Sequence, residues 1–94
     1  MPTTLTNEQI FKLVCMEVIE SLGVRRFPPV CVLYEMTNPG FIDWCETLVF
    51  VKDDGKLDEG EQSLLDWMKQ NAGNWDLVRE LMPVAERLEA KLTS

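Results

Sequence analysis

Apolar positions in the first quarter of the chain recur at steps of three and four. Ile10, Phe11, Val14, Cys15, Val18, Ile19 and Leu22 make one wide stripe, and Lys12, Glu17, Glu20 and Ser21 fall off it. That spacing predicts an amphipathic helix over 6–22. Thr6 stands as its N-cap with Gln9 at the third helical position, a capping-box pair. Leu5 and Ile10 are placed for a hydrophobic staple, and Gly23 supplies the stop.

Val24 to Pro29 reads as a connector, because proline holds the residue before it in extended backbone and can also open a helix. The next run, Val30-Cys31-Val32-Leu33-Tyr34-Glu35-Met36-Thr37, fits two descriptions. Its β-branched and aromatic content suits a buried strand. A strand needs a partner, and only Thr47 to Val51 could serve, which would break up the helix expected after Pro39. A short helix opened by Pro28-Pro29 and ended near Asn38 is therefore preferred, with a two-stranded sheet from 30–36 and 47–51 as the α+β alternative.

Asn38-Pro39 places a capping side chain before a proline at the first helical position. Phe41, Trp44, Cys45, Leu48 and Val49 then share a face, widened by Ile42, Phe50 and Val51. A segment apolar on nearly every side belongs at the centre of a fold. After it the chain turns through Asp53 to Glu61, where Gly55 tolerates a left-handed backbone and Asp58 with Glu61 forms a second capping pair. The helix from Asp58 to Asn71 turns Leu64, Leu65 and Met68 inward and keeps Trp67 near the edge, and Ala72-Gly73-Asn74 closes it.

The last helix runs from Trp75 towards Leu92. Val78, Leu81, Ala85, Leu88 and Leu92 make a seam over two heptads, and Pro83 is expected to kink it. Homodimerisation through 75–92 is one use of that seam, and packing onto the chain's own core is the other. The prediction is an all-α fold, one small domain of four to five short helices over 1–94.

Composition narrows the function. With 94 residues and 46% hydrophobic content, the chain can bury one core and is too apolar for a disordered tail. No apolar run reaches the ~20 residues that cross a bilayer, and the first residues lack the pattern of a signal peptide. A cytoplasmic protein is expected, with no membrane contact.

The net charge is −7, and it is concentrated. Between Asp43 and Asp66, eight acids stand against Lys52 and Lys56, which leaves −6 in that window. Such a lobe repels phosphates, so direct nucleic-acid binding is not expected, and it attracts a protein with a basic surface. Asp53, Asp54, Asp58, Glu59, Glu61 and Trp67 are the candidate protein-binding residues. Three tryptophans, Trp44, Trp67 and Trp75, add hot-spot chemistry, and one of them is expected to be exposed.

Catalytic chemistry is missing from the sequence. There is no histidine, Ser21, Ser63 and Ser94 lie in no nucleophile motif, and no phosphate-cradling glycine loop occurs. Cys15, Cys31 and Cys45 sit among apolar residues with no C-x-x-C, and only Arg25 and Arg26 could activate Cys31. No catalytic residue, metal site or cofactor is assigned, and an enzyme is not expected.

Aligning Gly55 with the sixth position of an EF-hand loop matches Asp54, Leu57, Asp58 and Glu61. It also puts Phe50 and Lys52 where the first and third oxygen ligands belong. Asp54 to Glu61 also resembles the D-G-x-hydrophobic-x-x-x-E turn between helices of TerB-like (tellurite-resistance) domains, which implies a helix–turn–helix and no activity.

The expectation is a small acidic adaptor, subunit or inhibitor acting through an acidic helix–turn–helix lobe. The alternatives are a phage-type inhibitor that imitates nucleic-acid charge and a degenerate EF-hand-like metal-responsive module.

Overall fold

Each predicted helix forms. The structure, a computed structural model, describes residues 5–52 and 59–93, with side chains described outside 48–52. Helix α1 is Asn7–Leu22, α2 is Pro29–Glu35, α3 is Pro39–Lys52, α4 is Glu59–Gln70 and α5 is Trp75–Thr93. No strand occurs among the described residues. The α+β alternative fails because 30–35 lies inside α2 and 47–51 inside α3.

Local chemistry explains the boundaries. Thr6 accepts from the Gln9 backbone N–H at 3.2 Å, and the Gln9 side chain accepts from the Thr6 N–H at 2.8 Å. Those two bonds satisfy amides that the first turn would otherwise leave open. Gly23 ends α1 with φ 92°, and Gly73 turns the chain between α4 and α5 with φ 79°. Both angles disfavour a residue with a Cβ. Asn38 accepts from the Gly40 N–H at 2.9 Å to open α3, and Asn74 accepts from the Leu77 N–H at 3.2 Å to open α5. Pro28 gives α2 no side-chain cap. The Glu89 carboxylate of α5 reaches across to accept from the Val30 N–H at 3.4 Å instead.

Packing follows the apolar stripes. The short α2 lies along α5, α3 lies on α4, and α1 touches α2, α4 and α5. All five helices contribute to one core. Phe11, Val32, Leu33, Met36 and Ala85 are sealed within it, and no polar or charged side chain among the described residues is buried with them. The seam of α5 is spent inside the chain, since Val78, Leu81 and Ala85 are buried and Leu88 packs against the core. Only Leu92, at the end of that seam, is exposed, so most of the 75–92 stripe faces this chain's own helices rather than a second copy. Pro83 lies on the exposed side of α5, which continues through it as a single helix. No helix among the described residues is long and apolar enough to cross a membrane.

Candidate functional site

The sequence points to the acidic hairpin of α3 and α4. Asp53, Asp54 and Asp58, the aligned EF-hand positions around Gly55 and the Asp58 cap lie outside the described residues. Glu59 and Glu61 stand in the first turn of α4, where carboxylates complement the positive end of the helix dipole. They diverge from there. Glu59 is exposed, while Glu61 is partly buried and lines an apolar cleft with Val14, Val18, Leu65 and Met68.

Trp67 is corrected from a contact residue to a core residue. It is 8% exposed, and its indole N–H donates to the Asn7 Oδ1 at 3.0 Å. Burying the ring removes much apolar surface from water, and the bond to α1 satisfies its one donor. Little of the ring is left at the surface.

Other acids form the described part of the lobe. Lys69 on α4 bridges to Glu46 on α3 at 2.6 Å. That hydrogen bond lifts the pKa of the Lys69 ammonium above the usual lysine range. The charges of Glu46, Asp66 and Asp43 add to the rise, and partial desolvation opposes it. Lys69 thus meets Glu46 directly and lies within electrostatic reach of Asp66 and Asp43. Gln62 donates to Asp66 at 3.0 Å. Glu59, Gln62, Asp66 and Lys69 follow the spacing of a single helical face.

Trp44 stands beside Asp43 on α3 and is 39% exposed. Its ring leans on Phe27 at 5.6 Å and on Phe41 at 5.8 Å between centroids, and those two rings meet at 5.5 Å. The cluster ties the connector before α2 to the first turns of α3, so the exposed indole is held on a firm base. Trp75 is 52% exposed against Tyr34, and two tryptophans rather than one are therefore exposed.

In the sequence, Asp43, Glu46 and Asp66 do not stand out by charge from the other acids of the 43–66 window. Their only signal was spacing. Asp43 and Glu46 are three apart, as are Asp66 and Lys69, so each pair shares a helix face.

The thiols are set for packing. Burial pushes Cys15 up to about 12 and Cys45 up to about 11. Cys31 is also raised, by burial first and then by the charges of Glu35 and Glu89. Carboxylates, not Arg25 or Arg26, dominate its surroundings, so no thiolate forms near neutral pH. Among the described residues, no group of three or more acids or cysteines is gathered as a metal site.

No family model, curated protein or solved structure matches the chain.

Proposed function

We propose that this chain is a small acidic protein that acts by binding another protein, as an adaptor, subunit or inhibitor. Its contact surface is the α3–α4 lobe, and its partner carries a basic surface. The observation that supports this reading is the Lys69–Glu46 bridge between α4 and α3, with the charges of Asp66 and Asp43 also acting on Lys69, together with an exposed Trp44 elsewhere on α3. A cluster of acids steers a basic partner and raises its on-rate, and an exposed indole on α3 supplies contact area of the kind found at interface hot spots. The same charge disfavours direct contact with nucleic-acid phosphates.

The test is capture from native lysate by the full chain, read by mass spectrometry at two salt concentrations. Raising salt from about 50 mM to about 300 mM shortens the reach of surface charges roughly twofold, so a charge-steered partner is retained at the lower value and lost at the higher. Asp43→Lys/Glu46→Lys/Asp66→Lys should abolish capture, and Trp44→Ala should weaken it. A partner held equally by the triple variant, or no partner at all, would sink the reading. Displacement of a captured nucleic-acid enzyme by duplex DNA would place the chain among phosphate mimics.

A further inference from the structure

Seven large apolar side chains are exposed among the described residues, and four of them stand on or beside α1: Leu5, Leu13, Met16 and Leu92. Met16 is the most exposed of the seven, at 62%. Grooves flank the helix on both sides. Leu5, Ile10 and Leu13 line one with Leu64 of α4 and with Glu17 and Glu61 at its polar side, and Met16 and Ile19 line the other with Leu88 and Leu92 of α5 and with Glu20. Single exposed apolar residues are ordinary, but Leu13 and Met16 stand one turn apart between two grooves with apolar walls, and clustered exposed apolar residues favour an interface.

The charges along this ridge indicate what covers it. Lys12, Met16 and Glu20 are spaced by four, so they follow one another along one row of the helix surface, and all three are exposed. A base lies one turn before Met16 and an acid one turn after it. A two-fold axis through Met16, perpendicular to the helix, brings Lys12 of one copy level with Glu20 of the other, twice. Parallel pairing would instead set like against like. Lys12 meets Glu8 at 3.4 Å and Arg87 lies 3.8 Å from the same carboxylate, all three well exposed. Such contacts are weak and readily exchanged, and Arg87 stays near Glu8 when Lys12 turns to a new acid.

We propose that the outer face of α1 is a self-association surface, joining two copies antiparallel about a two-fold axis with Met16 at its centre. The contact is isologous, so it closes as a dimer rather than growing into a filament. It is separate from the α3–α4 lobe and does not depend on the function proposed for that lobe. Of the 75–92 helix, Leu92 and the partly buried Leu88 border the patch.

A contact of about one helix is small, so sedimentation velocity of the full chain is run from about 10 µM to about 1 mM. The wild type is expected to pass from monomer to dimer in this range. Met16→Lys sets two like charges on the axis and should stay monomeric, with its helical circular dichroism unchanged because the side chain is largely exposed. Lys12→Glu and Glu20→Lys should each weaken the dimer by at least ~10-fold, since each change creates two like-charged pairs. An equimolar mixture of those two single variants should dimerise again, because every pair across the axis is then opposite. A wild type monomeric at 1 mM, whatever else covers the face, would overturn the proposal. A dimer that Met16→Lys leaves intact, or a mixture that does not recover, would do so too.

Discussion

The three tryptophans have the same chemistry and three different tasks, and burial separates them. Trp67 is sealed with its N–H bonded to Asn7, Trp44 caps an aromatic cluster, and Trp75 shares an exposed contact with Tyr34. Trp67→Ala should cost about 3–5 kcal/mol, the range for emptying a large buried ring, whereas Trp67→Phe should cost about 1 kcal/mol for the lost bond. Trp44→Ala and Trp75→Ala should each cost about 1 kcal/mol, from aromatic contact alone. Urea unfolding of the four variants checks this order, and an equal loss for Trp67→Ala and Trp75→Ala would contradict it. The cysteines make a second residue-scale prediction. A thiol in the unfolded chain releases its proton near pH 9, while Cys15 holds its own to about 12 and Cys45 to about 11. Above pH 9 the native state therefore binds more protons than the unfolded state, and stability falls as pH rises. The contribution is fully present below pH 9 and lost through the folded values, by up to about 1.4 kcal/mol per pH unit for each thiol. Wild type and Cys15→Ala/Cys45→Ala, unfolded in urea at pH 8, 9 and 10, should differ in slope, with the wild type declining faster.

At the scale of elements, the periodicity of the sequence was enough for α1, since both halves of its capping box and its glycine stop depend on residues within one turn. Segment 30–36 was ambiguous for a physical reason. Val32, Leu33 and Met36 are buried while the equally apolar Val30, Cys31 and Tyr34 are not, so apolar residues on every side of a short run hide the helical spacing of the buried face. What makes it a helix is α5 lying along it and Glu89, fifty-nine positions from Val30, accepting from its first turn. Nothing local to 30–36 carries that information. Pro83 is a different case, a helix breaker standing inside a helix that is continuous from Trp75 to Thr93. Its ring leaves the Arg79 carbonyl without the bond of a regular helix, and its side is exposed, so the missing bond faces water. Pro83→Ala should therefore stabilise the protein by about 1–3 kcal/mol, measured as a rise in the urea midpoint without change in slope. A loss of stability would mean instead that a bend at Pro83 seats α5 on α2.

The whole molecule is governed by a charge imbalance that the sequence displayed and whose geometry it concealed. A window of −6 could be counted from residues alone, but that Glu46 meets Lys69 across twenty-three positions depends on how α3 and α4 pack. Likewise, the burial of Trp67 depends on Asn7, sixty positions away. Within the described lobe, Lys69 is the cation on which Asp43, Glu46 and Asp66 act. Folding brings those acids closer together than they are in the unfolded chain, so their mutual repulsion opposes the native state. Salt screens exposed charges, and the balance of signs fixes the direction of its effect. Raising sodium chloride from about 10 mM to about 200 mM should raise Tm by a few degrees, on the order of 1 kcal/mol for a domain of this size. Lys69→Ala should lower Tm at low salt and enlarge the salt-dependent rise, because the acids then repel without a counter-charge. Asp66→Asn, which removes one of the acids, should shrink it. Thermal unfolding of the three proteins across that salt range decides the matter. If Lys69→Ala and Asp66→Asn shift the salt increment in the same direction, local repulsion in the lobe is not what salt relieves, and the −7 of the chain acts only as a diffuse whole.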